Sequence, residues 1–268
     1  MSNIPEAAPL WMETPLIRSS HISSLLGCAA YLKLEVRCLL QREWTELTKW
    51  TWSQNLQPSQ SFKYRGLSLF AQECKEKYGK DIHLIIASGG NAALGAACAA
   101  NVLQIQCTVY ITEGANQEML DFLRQQRAAV VIVGKCYAQT LEQAQEAVKQ
   151  DKNAYVPAIC SEFISNKYVY RVMMPAYDNP TIWQGHASMI KEASYQIPNK
   201  PDAIFCSVGG GGLLGGVLVG CKDVGWDDGE RKMLLPAPVS VFNLSSAGCC
   251  NGNPRIKLFL PFRLCELW

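Results

Sequence analysis

Three short stretches set chemistry-bearing residues beside backbone donors. In "QPSQSFKYRG", residues 57–66, Lys63 leads into "GLSLFAQECKEKYG", which reads as a helix. A cation is disfavoured at a helix N-terminus, because the aligned peptide dipoles already make that end positive. In "ASGGNAALG", Ser88, Gly89, Gly90 and Asn91 form a turn between an apolar strand and a helix rich in small residues. In "AIFCSVGGGGLLGGVLVG", a strand runs into Gly209, Gly210, Gly211 and Gly212, and a helix follows at once. A glycine run bares successive N–H groups and a helix N-terminus adds positive potential, which together suit a phosphate. The blander reading is a flexible loop, or close helix–sheet packing by Gly215 and Gly216. The turn at 88–91 suits a carboxylate or a polar ring substituent, and its plainer reading is an N-cap by Ser88 or Asn91.

A lysine among such turns feels positive potential and partial desolvation, and both favour its neutral amine. A neutral amine forms a Schiff base with an aldehyde. An aldehyde that carries a phosphate is pyridoxal 5'-phosphate. Taken alone, Lys63 is more simply a solvated surface lysine; the glycine cradle changes that balance. A dinucleotide competes, since Gly210, Gly212 and Gly215 satisfy GxGxxG. That motif wants an acidic residue closing the next strand roughly 20 residues on, and "GWDDGERKML" shows no such strand. A smaller phosphorylated ligand is favoured.

The elements that position these residues alternate. "AAYLKLE", "HLIIA", "CTVYI", "AVVIVG", "AYVP" and "AIFCSV" read as strands, and helical stretches separate most of them, among them "ANQEMLDFLRQQ", "AQTLEQAQEAVKQ" and "TIWQGHASMIKEASYQI". Such alternation predicts an α/β fold with mostly parallel sheets covered by helices. Continuous apolar runs such as "AVVIV" and "HLIIA" fit burial on both faces. Beyond Asp228 the alternation fades, and the tail cannot be placed in a sheet.

Bulk numbers narrow the function. The 268 residues suffice for one large domain or two small ones, 49% are apolar, and the net charge of +2 offers nothing to nucleic acid or an anionic membrane surface. No apolar run is long enough to cross a bilayer, and "MSNIPEAAPLW" lacks the pattern of a secretory signal. Many of the twelve cysteines sit in core-like runs, which fits a reduced, cytoplasmic chain. No CxxC pair occurs, and His21, His83 and His186 are far apart, so no metal site is expected.

"SFKYRG", "SGGNAALG", "NPTIWQGHASMIKE" and "SVGGGGLLGGVLVG", in that order, resemble the fold type II pyridoxal-phosphate enzymes, which share a two-domain, tryptophan synthase β-like fold. Within these the pattern is most similar to the serine/threonine dehydratase (L-serine ammonia-lyase) group, and "GHAS" at 185–188 resembles the serine branch. The likeness covers about residues 8–228. It implies a lyase that deaminates L-serine or L-threonine by α,β-elimination, serine giving pyruvate and ammonia. Lys63 would hold the cofactor as a Schiff base, flanked by Phe62, and would then serve as the base for the α-proton. Asn91 would bond the ring hydroxyl. Gly209, Gly210, Gly211, Gly212 and Leu213 would bind the phosphate. Ser88, Gly89 and Gly90 would hold the substrate carboxylate, with Ser61 lining the same pocket. His186 is more simply a packing residue than a ligand contact. Relatives are often dimers, which extends to this chain as a homodimer. An inactive homologue, or a related enzyme acting on another amino acid, is the alternative.

The chain departs from that pattern in places. Joining Glu35 to Asn55, or Pro157 to Ala176, restores it, so residues 36–54 and 158–175 read as in-frame additions; the first carries Trp44, Trp50 and Trp52. Gln60 stands where the family often has glycine. The resemblance divides the chain into a large cofactor-binding domain, residues 1–66 and 158–228, and a small α/β domain, residues 67–157. Residues 229–268 form an atypical tail in place of the later strands, so the large domain reads as truncated. The family's Ser or Cys for the pyridine nitrogen cannot be assigned to Cys249, Cys250 or Cys265.

Overall fold

The computed structural model describes residues 8–35, 57–149 and 169–227, with the backbone of 256–259. Fifteen elements run in the order β1 (Leu16–Arg18), α1 (Ser20–Leu26), β2 (Ala29–Lys33), α2 (Lys63–Tyr78), β3 (Ile82–Ala87), α3 (Asn91–Leu103), β4 (Gln106–Ile111), α4 (Gln117–Gln125), β5 (Ala129–Ile132), α5 (Tyr137–Lys149), β6 (Tyr170–Met173), α6 (Pro180–Gln196), β7 (Ala203–Phe205), α7 (Gly212–Asp223) and β8 (Ile256–Phe259). Two four-stranded sheets result. One has the order β5-β4-β3-β6 and is parallel throughout; the other has the order β1-β2-β8-β7, with only the β1–β2 pair antiparallel. None of the described helices is long and apolar enough to cross a membrane.

Burial follows position in the sheet. Every residue of β3, an interior strand, is buried. β5 is an edge strand, and Val131 and Ile132 are exposed, so its apolar run is not buried on both faces as its composition suggests. β6 pairs with β3, placing Leu84 opposite Val172, although Tyr170–Met173 lies inside the segment read as an addition. The strand read at "AYVP" and the aromatic-rich segment 36–54 lie outside the described residues. The tail does supply a strand. β8 is seated between β2 and β7, a place that four residues flanked by Pro254 and Pro261 do not advertise.

Glycines set the helix layer. A Cβ on Gly66 of α2 would lie 2.6 Å from the Ile182 carbonyl of α6, and one on Gly185 of α6 would lie 2.5 Å from the Arg65 carbonyl. On α7, a Cβ at Gly216 would lie 2.3 Å from the His186 Cβ, and one at Gly220 would lie 2.7 Å from the Ile190 Cβ. The backbones of α2, α6 and α7 thus approach more closely than any larger residue permits.

Beneath α2 lies a buried charge cluster. Arg65 donates to Glu35 through Nε at 2.9 Å and Nη2 at 2.7 Å, and to Glu192 of α6 through Nη1 and, at 2.9 Å, through Nη2. Lys33 of β2 meets Glu192 at 2.6 Å. Thr14 donates to Glu35 through its hydroxyl at 2.7 Å and to Glu192 through its N–H at 3.2 Å. All four charged side chains are nearly or wholly out of solvent, and two cations meet two carboxylates. Burial opposes ionisation of Glu192, but the Arg65 and Lys33 bonds outweigh it and hold the carboxyl below its usual range.

Two stability changes follow. Gly185→Ala puts a methyl group against the Arg65 carbonyl, which cannot move without shifting α2; chemical denaturation is expected to show a loss of about 3 kcal/mol. Gln60 is exposed and sits at φ +61°, in the left-handed region. Gln60→Gly removes that strain, and the same measurement is expected to show a gain of about 1 kcal/mol.

Candidate active site

Lys63 is the first residue of α2, and the preceding residue, Phe62, gives the helix no side-chain cap. The lysine Nζ donates to the Ala176 carbonyl at 3.3 Å and lies 5.4 Å from the centre of the Phe62 ring. Among the described residues it forms no ion pair. Burial therefore pushes its amine below the ordinary lysine range, with no carboxylate to offset the loss of water. Phe62 is held from behind by His186, whose ring meets it edge-on at 5.1 Å and 66°. His186 is buried, and burial, with Lys63 and Arg65 adding to it, pushes its pKa down to about 3. It is therefore neutral near neutral pH and packs on Phe62, while its buried Nδ1 has no partner among the described residues.

The turn after β3 is tied to the same helix end. α3 begins at Asn91, its N-cap is Gly90, and no side chain caps it. The Ser88 hydroxyl instead accepts from the Gly90 N–H at 3.3 Å, within the turn. Simple capping by Ser88 or Asn91 is thus excluded. One turn into α3, a Cβ on Gly95 would lie 3.6 Å from the carbonyl carbon of Lys63 and 3.6 Å from the Tyr64 nitrogen. The first turns of α2 and α3 are therefore neighbours.

The tetraglycine turn is reached through Tyr177, next to the carbonyl that Lys63 bonds. A Cβ on Gly210 would lie 2.5 Å from the Tyr177 ring, and one on Gly212 would lie 2.7 Å from the Tyr177 carbonyl. Gly211 needs to be glycine for a second reason, its φ of +85° at the N-cap of α7. Gly209 has open space where a Cβ would be, and Gly209 and Gly210 are exposed. Leu213 buries its side chain among the core residues around Ile190 and Val217, so only its backbone is available to a ligand. Gly215 lies against the Trp183 indole, 2.9 Å from where its Cβ would be, which accounts for the third glycine of the dinucleotide-like pattern by helix packing. Tyr177 and the Ala176 carbonyl carry no motif, and spacing gives no sign of them.

These three helix starts share an unusual feature. α1, α4 and α6 are capped by Ser19, Asn116 and Asn179, whereas α2, α3 and α7 have no side-chain cap. At α2 the Tyr64 and Arg65 amides bond the Ser61 and Phe62 carbonyls, whereas the uncapped starts of α3 and α7 keep amide donors for something else. Ser61, beside Phe62, is buried with a hydroxyl that finds no partner among the described residues. Free backbone donors, an unpaired amine and a buried hydroxyl without a partner fit a ligand with an anionic group and a carbonyl, as pyridoxal phosphate has. Cys249, Cys250 and Cys265 lie outside the described residues.

Known proteins agree with that chemistry. Residues 52–248 match the family model described as pyridoxal-phosphate dependent enzyme. The human serine dehydratase-like protein is 32% identical over 243 residues, covering 91% of this chain and 60% of that protein. The human L-serine dehydratase/L-threonine deaminase is 33% identical over 222 residues, covering 82% and 56%. This chain thus spans less than two thirds of the length of these relatives. In three dimensions it resembles the L-serine ammonia-lyase of the fungus Rhizomucor miehei, with a TM-score of 0.66, 26% identity, and coverage of 82% of this chain and 58% of that one. With Lys63 and both glycine turns inside the matched region, and the fold shared as well, the chain belongs to the family of pyridoxal-phosphate dependent enzymes, in its fold type II branch.

Proposed function

We propose that this chain is a dehydratase of small hydroxy amino acids, deaminating L-serine or L-threonine by α,β-elimination. The observation that carries this reading is the place of Lys63: half-buried, without an ion pair among the described residues, beside the first turn of α3, and bonded to the carbonyl that precedes the Tyr177 packed on the 209–212 turn. Relatives named for serine and threonine supply the substrate class. In this reading β3, β4 and β5 lie in the small unit of residues 67–157 and β1, β2 and β7 in the large cofactor-binding one; β6, at residues 170–173, falls within the bounds of the large unit yet pairs with β3. A reducing, cytoplasmic setting is part of this reading, and the seven described cysteines form no disulfide with one another. A homodimer follows from family habit alone.

In this reading Gly209, Gly210, Gly211, Gly212 and the Leu213 N–H hold a phosphate at the start of α7. Phe62 flanks the ring, and the free Asn91 amide bonds its hydroxyl. Ser88, Gly89 and Gly90 bind the substrate carboxylate at the start of α3, with the Ser61 hydroxyl at the pocket wall. Pyridoxal phosphate, when bound, supplies an aldehyde open to amines and a ring that draws electrons from the substrate α-carbon. Lys63 takes the α-proton on Nζ, which requires the neutral amine that desolvation provides. The β-hydroxyl then takes up a proton and leaves as water. The unsaturated amine that results is hydrolysed by one water, which frees ammonia and gives pyruvate from serine or 2-oxobutyrate from threonine. His186 stays neutral and takes no part in proton transfer.

Two measurements test this. Protein loaded with pyridoxal phosphate should be yellow, and borohydride should bleach it and fix a phosphopyridoxyl group on Lys63. Lys63→Ala should lose the colour and lower pyruvate release from L-serine by roughly 10²–10⁴-fold or more. Fixation elsewhere overturns the assignment, and fixation on Lys63 without turnover of either amino acid leaves a binding protein in place of an enzyme. In the cofactor-free protein, the amine becomes reactive above its own pKa, which lies below the ordinary lysine value of about 10.4. Labelling of Lys63 against pH should therefore reach its midpoint at lower pH than lysines of the unfolded chain.

A further inference from the structure

We propose that Arg65 is a positioning residue, whose buried guanidinium fixes the first turn of α2 and so presents Lys63 to the two glycine turns. This rests on the reading of Lys63 given above. Helix α2 begins without a side-chain cap and without an acidic residue in its first turn, so locally its start is held only by backbone bonds to Ser61 and Phe62. Arg65 supplies the hold from the other side. At 3.6 residues per turn, positions two apart point about 200° apart, so Lys63 and Arg65 leave the helix in opposite directions.

The anchors come from distant parts of the chain. Arg65 donates to Glu35 after β2, to Thr14 before β1 at 3.1 Å, and to the Met12 carbonyl at 3.4 Å. On α6 it donates to Glu192 and, at 2.8 Å, to Ser188, whose hydroxyl in turn donates to the Gly185 carbonyl at 2.7 Å. Gly185 is the residue on which the Arg65 carbonyl rests. The "GHAS" segment thus receives the lysine loop three times: Gly185 against the Arg65 backbone, His186 against Phe62, and Ser188 against the guanidinium. A planar fork is needed, because a lysine at 65 reaches one carboxylate at a time.

The balance of charge makes the claim testable. Arg65→Met leaves Lys33 facing two buried carboxylates, and it is expected to unfold much of the protein. Glu35→Gln together with Arg65→Met restores neutrality, with Lys33 facing Glu192 alone. Arg65→Lys keeps the charge and loses the fork. For each, three readouts are taken: the thermal midpoint, hydrogen exchange at the Tyr64 and Arg65 amides, and the rate of borohydride-fixed labelling of Lys63 by pyridoxal phosphate relative to the other lysines. Those two amides bond the Ser61 and Phe62 carbonyls at 3.2 and 3.1 Å, so they report on the first turn directly.

The expected result is a double variant with a higher midpoint than Arg65→Met alone. In it and in Arg65→Lys, Tyr64 and Arg65 should exchange faster than in the wild type, and Lys63 selectivity should fall by roughly ten- to a hundredfold, the scale of a misplacement near 1 Å. A double variant or Arg65→Lys with wild-type exchange and wild-type selectivity overturns the proposal, since charge balance alone would then suffice. If the wild type itself fails to label at Lys63, the cofactor reading falls, while exchange at Tyr64 and Arg65 still decides the role of Arg65.

Discussion

One guanidinium joins the N-terminal segment, the residues just after β2, the lysine-bearing helix and the "GHAS" helix. A buried cluster of Arg65, Lys33, Glu35 and Glu192 gives weak net stability, because taking four charges out of water costs nearly what their attraction returns. Its consequence is geometric. Each oxygen and each N–H has one acceptable place, so segments over 150 residues apart in sequence are held in one register. An apolar cluster of the same volume would tolerate sliding that this one does not.

The glycines do the complementary work. Hydrogen bonds fix where α2 sits against α6, and Gly66, Gly185, Gly216 and Gly220 fix how near the three helix axes lie. Lys63 bonds the Ala176 carbonyl, and the next residue, Tyr177, packs against Gly210 and Gly212, so two consecutive residues connect the start of α2 to the 209–212 turn. The proposed site needs free donors at the starts of α3 and α7, and neither has a side-chain cap that would consume them, whereas α1, α4 and α6 do.

Much of this was legible in the residues. Alternating runs gave α2 through α5, α6, β7 and α7, because their apolar patterns are local and their turns are marked by glycine or asparagine. Lys63 at a helix start and the two glycine turns between strand and helix are legible for the same reason. What escaped has non-local causes. β1 and β8 are short strands that exist because a neighbour pairs with them. β6 looked like an interruption, since "YRVM" shows its partner β3 only in space. Gln60 was noticed as a departure from glycine, and its φ of +61° supplies the reason glycine suits that place. Arg65 lay in the open, two residues from Lys63, yet its partners are at positions 12, 14, 35, 188 and 192, and no window of sequence brings them together.

Two buried lysines show how one fold separates structure from chemistry. Burial lowers the pKa of both Lys33 and Lys63. Lys33 has Glu192 at 2.6 Å, the Thr14 carbonyl at 2.6 Å and Gln196 at 2.8 Å, so its ammonium is opposed by a charge and bonded on several sides. Lys63 has one long bond to a carbonyl and an aromatic face. A carboxylate beside Lys63 would have held its proton and removed its nucleophilicity. Glu35 and Glu192 lie in the cluster behind α2, and among the described residues no carboxylate pairs with Lys63; in the proposed reading that asymmetry suits Lys63 to act as a reagent and Lys33 as a strut.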